Sequence, residues 1–253
     1  MPPPDQGWNP RRVLITGASS GIGAALAAAM TGPGRRLDLG GRSAERLAAV
    51  AERCRAGGAE VAAASLDLRD SEALRRWIGG VPPPDLLVAN AGVAGSENSA
   101  DEIMAVNVQA VIATVEAALP RMGAGSQIAL MSSLAGFNGM APAPVYCASK
   151  AAVRIYGDGL RARLRRSGIA VSIICPGFVR TPMTDSNPFP MPLMMSPEQA
   201  AARILRGLSR RRALIAFPLR LHLLARLLSV LPRAVTDKLT AGMPSKERSA
   251  AVP

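Results

Sequence analysis

The run Arg12-Val13-Leu14-Ile15-Thr16, followed by Gly17-Ala18-Ser19-Ser20-Gly21-Ile22-Gly23, decides how this chain folds. A short, continuously apolar segment of this kind reads as a buried strand. The glycine-rich turn comes next, and a helical segment over 24–30 follows directly. Glycines at that point let the backbone turn tightly and come close to a pyrophosphate, at the positive end of the helix dipole. Strand, glycine turn and helix in that order are the context a dinucleotide-binding loop requires. The same residues admit a second reading. Gly17-Ala18-Ser19-Ser20-Gly21 also fits the G-x-S-x-G elbow of a serine hydrolase, with Ser19 as nucleophile. That enzyme needs a histidine base, and the chain's one histidine, His222, falls in a basic leucine-rich segment beyond the last strand. The hydrolase is therefore the minor alternative.

Outward from this turn, apolar runs of strand length alternate with segments of helical period. Strands are predicted at 12–16, 36–39, 61–66, 85–89, 127–131, 169–175 and 213–217, and further helices at 44–55, 71–78, 101–122, 145–166 and 197–209. Continuous apolar strands between amphipathic helices imply an α/β fold, a doubly wound, seven-stranded parallel sheet with helices on both faces. Residues 1–217 make one domain by this reading. Residues 218–253 are a basic amphipathic helical extension, not an independent domain.

Composition narrows the function classes. The chain has 253 residues, of which 49% are hydrophobic and 19% charged, which excludes a disordered protein. Three cysteines, Cys54, Cys147 and Cys175, are an odd set without metal-ligand spacing. They argue against a disulfide scaffold and against a metal site, and for a reducing compartment. The net charge of +12 is uneven: residues 201–253 hold eleven cations and two anions, so +9 of the total lies there. The first twelve residues contain four prolines and no apolar core, unlike a signal peptide. Residues 213–231 approach a membrane span in length, but Pro218, Arg220, His222 and Arg226 interrupt them. The expectation is a cytoplasmic protein, peripheral at most at the inner membrane face.

The extension carries Leu221, Leu224, Leu228 and Leu231 at helical spacing, broadened by Leu223 and Leu227, with Arg220, Arg226 and Arg233 among or beside them. Three roles suit it: a helix lying in a membrane interface, a helix docked on the body or on another subunit, or a solvated basic face. Nucleic acid is not expected as a partner, since the segment lacks stacking aromatics and any binding motif.

Tyr146 and Lys150 stand four apart on one helix face, so an ammonium can lie near a phenol. An unperturbed tyrosine titrates near pH ~10, and a neighbouring cation would lower that toward a working range. Ser133, at the end of the fifth predicted strand, offers a hydroxyl to a substrate carbonyl or alkoxide. Ser132 reads as a strand-end hydroxyl bonded to backbone.

Taken together, these motifs resemble the short-chain dehydrogenase/reductase family, of the compact single-domain type with a Rossmann fold, over about residues 11–217. The matching elements are Thr16–Gly23 for T-G-x-x-x-G-I-G, Asn90-Ala91-Gly92, Asn107 in Ala105-Val106-Asn107-Val108, Ser133, Tyr146-Cys147-Ala148-Ser149-Lys150, and Pro176-Gly177 with Thr181 downstream. The resemblance implies a nicotinamide-dependent oxidoreductase. Tyr146 would exchange the proton, Lys150 hold the ribose and tune Tyr146, Ser133 orient the carbonyl, and Asn107 keep a proton relay. It implies cofactor contacts at Gly17, Ser19, Ser20, Gly21, Ile22, Gly23, Asp67, Leu68, Asn90, Ala91, Gly92, Tyr146, Lys150, Pro176, Gly177, Val179 and Thr181. It also implies a homodimer or homotetramer.

Gly41 stands where NAD-using members carry Asp, and Arg42 follows where NADP-preferring members place an arginine; Ser43 adds a hydroxyl. NADP(H) is thus favoured over NAD(H), although Ser20 takes the place where many NADP-users have a cation. Ala89 replaces the first amide of Asn-Asn-Ala-Gly, and the interval from Asn90 to Asn107 is short for the family. Residues 183–196 form the family's substrate lid, and here include Phe189, Met191, Leu193, Met194 and Met195. They suit either an adaptable apolar pocket or ordinary packing. The substrate expected is an apolar carbonyl compound or alcohol. A non-catalytic dinucleotide sensor or membrane-associated interaction protein on the same fold is the alternative.

Overall fold

The computed structural model describes residues 7–95, 98–185, 191–232 and 235–236. Strands β1 (Arg12–Thr16), β2 (Arg36–Gly41), β3 (Glu60–Ser65), β4 (Leu86–Ala89), β5 (Gln127–Met131), β6 (Ala170–Pro176) and β7 (Leu214–Phe217) form one sheet in the order β3-β2-β1-β4-β5-β6-β7. Every neighbouring pair is parallel. All seven expected strands are present, each within two residues of its predicted bounds.

Two helical layers explain why the central strands show no polar alternation. Val13 and Ile15 of β1 join a core with α1 (Gly21–Ala29), α2 (Ala44–Ala56) and α8 (Pro197–Leu208), through Leu26, Leu47 and Ile204. Leu14, pointing the other way, joins Leu74, Val115 and Leu160 of the opposite layer. That layer consists of α3 (Ser71–Gly80), α4 (Ala100–Met104), α5 (Ala110–Ala118) and α6 (Pro144–Leu164). The short α7 (Pro182–Asp185) follows β6, and α9 (Leu219–Val230) follows β7. The strand order runs outward in both directions from β1 and β4, and the crevice at their carboxyl ends is where such sheets bind ligands.

The helix expected over 101–122 is not continuous. It divides into α4, a π-helical turn Ala105–Gln109, α5 and a 3₁₀ turn Leu119–Arg121 that contains Pro120. Apolar periodicity does not register one widened turn, and Pro120 cannot continue an α-helix. This stretch is also of membrane-spanning length. Ala100–Arg121, with a mean hydropathy of 1.5, is long and apolar enough by length and composition to cross a bilayer. Here one side of it packs into the core, with Val111, Val115 and Ala118 buried against the sheet and neighbouring helices.

Candidate active site

The glycine turn is held from below by β4. Asn90 donates from Nδ2 to the carbonyls of Thr16 (3.0 Å) and Gly17 (3.1 Å), while the Thr16 hydroxyl accepts from the backbone N–H of Asn90 and Ala91. The glycines are sterically required. Gly17 lies at φ +68°, and a Cβ there would come within 2.7 Å of Ala91 Cα. A Cβ on Gly23 would run into the Gly17 carbonyl. Ser20 caps α1 with extended backbone but gives its side chain to no cap hydrogen bond. The first N–H groups of α1 are thus left for a ligand, as an anion at a helix N-terminus requires.

From this turn a cleft of about 270 Å³ runs to the catalytic end. At its far edge stand Gly41, Arg42, Arg46 and Asp67. A Cβ on Gly41 would lie 3.1–3.2 Å from the Ser19 side chain, so a longer residue there would crowd the turn. Asp67 pairs with Arg69 at 2.6 Å, and that hydrogen-bonded guanidinium holds its carboxyl below the usual carboxylate range. Arg42 and Arg46 are exposed.

At the other end, Ser133, Tyr146 and Lys150 come to one wall. The Ser133 hydroxyl accepts from the Ala135 N–H at 3.1 Å and donates to the Pro176 carbonyl at 3.4 Å. Lys150 is buried, and its Nζ donates to the Met131 carbonyl at 3.1 Å. The Ser132 hydroxyl, as expected of a strand-end group, bonds backbone, donating to the Lys150 carbonyl at 2.8 Å. Asn107 is fully buried in the π turn. It accepts from the Val93 N–H (2.8 Å), and donates to the Val93 carbonyl (2.9 Å) and to Ser149 Oγ (3.0 Å). Ser149 in turn donates to the Tyr146 carbonyl at 2.7 Å. Asn107 therefore ties the loop after β4 to the helix bearing Tyr146 and Lys150. Gly92 leaves the room: a Cβ there would sit 3.1 Å from Lys150 Nζ and 3.2 Å from Asn107 Oδ1.

The electrostatics differ from the expectation that Lys150 lowers the Tyr146 pKa. Burial pushes the Tyr146 phenol up to about 12, with the Ser133 hydroxyl partly opposing it. Burial likewise pulls the Lys150 ammonium down to about 8. Lys150 Nζ lies 5.7 Å from the Tyr146 ring centroid and is directed to a backbone carbonyl. Desolvation is the largest cause of both shifts.

Most expected cofactor positions border the cleft, including Gly17, Ser19, Ser20, Gly21, Ile22, Arg42, Asp67, Leu68, Asn90, Ala91, Gly92, Pro176, Gly177, Val179 and Thr181. Three expected site residues lie off its surface. Gly23 packs behind the turn, Asn107 lies behind the wall, and the Ser43 hydroxyl caps α2 by accepting from the Arg46 N–H at 3.4 Å. Sequence reasoning missed Arg46 and Thr184. Arg46 sits one helical turn after Arg42, a spacing that could have revealed it. Thr184 Oγ1 accepts from the Thr181 N–H at 2.9 Å and donates to the Val179 carbonyl at 2.8 Å, shaping the segment over the cleft. In the expected lid, Met183 lines the cleft, whereas Met195 is packed in the core. Leu193 is exposed, and Phe189 lies outside the described residues.

A doubly wound sheet with a glycine cradle at its switch point and a Tyr-x-x-x-Lys helix at the cleft defines a nicotinamide-dinucleotide-dependent oxidoreductase. Residues 11–189 match the family model described as short chain dehydrogenase, and the chain belongs to that family. An uncharacterized oxidoreductase of Myxococcus xanthus is 37% identical over 243 residues, covering 90% of this chain and 95% of its own. A short-chain dehydrogenase from Sphingobium yanoikuyae in complex with NADPH superposes with a TM-score of 0.76 at 29% identity, over 95% of this chain and 98% of that one. A short chain dehydrogenase/reductase from Burkholderia phymatum in complex with NAD gives 0.75 at 25% identity, over 96% and 99%. A nicotinamide dinucleotide is accordingly the cofactor.

Proposed function

We propose that the enzyme uses NADP(H) to interconvert an apolar carbonyl compound and its alcohol, with Tyr146 as the acid/base. The observation that carries this reading is one cleft with Arg42 and Arg46 at one end and Ser133, Tyr146 and Lys150 at the other. The open N-terminus of α1 would take the pyrophosphate, and the two arginines a 2′-phosphate, which a guanidinium binds through charge-assisted hydrogen bonds. The bound dinucleotide supplies or accepts the hydride at the carbonyl carbon. The chain's own residues do the rest. A phenol with its pKa near 12 keeps its proton at neutral pH, and can deliver it to the carbonyl oxygen as that oxygen becomes an alkoxide. The Ser133 hydroxyl orients the same oxygen, and Lys150 holds the nicotinamide ribose. Asn107 keeps the Val93 loop and the Tyr146 helix in register for the proton relay. An apolar substrate is supported by the walls at this end, which include Val93, Val106, Pro182 and Met183. Lys150 is the only charged side chain among the described residues there.

Tyr146→Phe tests the reading against a dinucleotide sensor. Turnover of NADPH with a panel of apolar ketones and aldehydes should fall by roughly 10²–10⁴-fold, the ordinary contribution of a positioned acid, with NADPH fluorescence titrations unchanged. Turnover equal to the parent would sink it.

A further inference from the structure

Apolar side chains lie on both sides of α9, and five of them face away from the body. Leu219, Leu223, Leu227 and Val230 are 64%, 57%, 56% and 77% exposed, and Leu224 beside them is 51% exposed. Opposite them, Leu221, His222, Ala225 and Leu228 are half-buried towards the body. The His222 ring packs edge-on against Phe137 with centroids 5.4 Å apart, and Asn138 Nδ2 donates to the Ala225 carbonyl at 2.6 Å. A surface helix of a soluble protein ordinarily turns its apolar stripe inward. This one is docked and still offers leucines to the outside, the kind of exposed patch that marks an interaction surface.

Along one flank of α9 lies a second cavity, of about 290 Å³, between α6, β6, β7 and α9. Arg154, Arg161 and Arg226 line it, with Asp158 as the only carboxylate on its wall among the described residues. Arg154 is engaged, stacked 4.8 Å from the Phe137 ring and donating to the Gly136 carbonyl at 3.3 Å. Among the described residues, Arg161, Arg226 and Asp158 form no ion pair. Apolar side chains beside the unpaired guanidiniums of Arg161 and Arg226, at a helix within the 201–253 segment that carries +9 of the net +12, fit an anionic lipid surface.

We propose that α9 seats this protein on an anionic phospholipid membrane. The outward leucines enter the acyl boundary, and Arg161 and Arg226 at the flanking cavity take headgroup phosphates. The proposal is independent of the catalytic reading, since it uses none of the residues that line the cleft.

Sedimentation of the full chain with vesicles tests it. The protein should pellet with phosphatidylcholine vesicles containing phosphatidylglycerol, should stay in solution with phosphatidylcholine alone, and should be released by salt. Leu223→Glu/Leu227→Glu, at exposed positions and with an unchanged melting temperature, should cut the bound fraction by about tenfold or more. Arg161→Glu/Arg226→Glu should weaken binding roughly three- to tenfold. Three results would overturn the proposal. The first is no pelleting with anionic vesicles at low salt. The second is pelleting that the leucine pair leaves untouched, which would assign it to the charge of the extension alone. The third is light scattering that shows a dimer without vesicles, made monomeric by the same leucine pair.

Discussion

The half of the cleft around β1 and the half around β5 and α6 meet the ligand in different ways. Around β1 the functional groups are mainly backbone: the glycine turn and the open N-terminus of α1, pinned by Asn90 and Thr16. Those bonds hold the fold and the binding surface at once. Around α6 the functional groups are side chains taken out of water, a phenol raised to about 12 and an ammonium lowered to about 8. Burial there costs stability that the reaction then uses. Binding and stability should therefore fail together at the glycine turn and separate at α6.

The largest expected effect breaks the first half. Gly23→Ala places a methyl on the Gly17 carbonyl and 2.6 Å from Asn90 Nδ2, so the turn must shift. Dinucleotide affinity should fall by roughly 100-fold or more, and stability by about 1–3 kcal/mol. Gly207→Ala is the matched control. Its Cβ would meet the Ile215 side chain at 2.6 Å, a milder overlap, with a side chain and not with backbone, far from the turn. It should cost about 1–2 kcal/mol and leave nicotinamide fluorescence titrations unaltered. Equal losses of affinity in both variants would remove the distinction.

Next in size is the pair at the far edge. Arg42→Ala/Arg46→Ala removes two exposed cations, and should weaken NADPH binding by about 10–100-fold, with NADH binding and the melting temperature nearly constant. An equal loss for both dinucleotides would refute the 2′-phosphate assignment.

The smallest effect has the opposite sign. Lys150→Met should abolish turnover and yet stabilise the protein at pH 7 by about 1–2 kcal/mol. Below pH 8 the parent's Lys150 is protonated both folded and unfolded, so the native state carries the full desolvation cost. Between pH 8 and its ordinary value of 10.5, the folded state releases its proton first and the parent recovers stability. The advantage of the variant should shrink across that window in urea titrations at successive pH values. A gap that widens with pH would show that burial is not what displaces Lys150.

Legibility in the sequence followed the same division. The turn, Asn90-Ala91-Gly92 and Tyr146 with Lys150 were readable because each is a local pattern whose chemistry depends on near neighbours in the chain. Arg46 and Thr184 were missed, although each repeats a named residue about one helical turn on, because no motif carries them. Ser43 was read as a cofactor contact. Its hydroxyl is used by α2 as a cap, and a hydroxyl so placed answers to whichever donor the fold presents. The lid was half legible, since apolar residues look alike whether they line a cleft, as Met183 does, or fill a core, as Met195 does.

The sequence by itself determined the strand and helix alternation, the parallel doubly wound sheet, the glycine cradle and the uneven charge of residues 201–253. These rest on periodicity, steric permission and counting, all of which are properties of neighbouring residues. Only the tertiary structure decided that the helix over 101–122 breaks at Asn107, that Asn107 braces rather than lines the cleft, and that Tyr146 and Lys150 are shifted by burial more than by each other. It also decided that α9 docks with Leu219, Leu223, Leu224 and Leu227 outward and with Leu221 and Leu228 half-buried. Burial, desolvation and the direction a helix face points are set by residues far apart in the chain, and no local pattern encodes them.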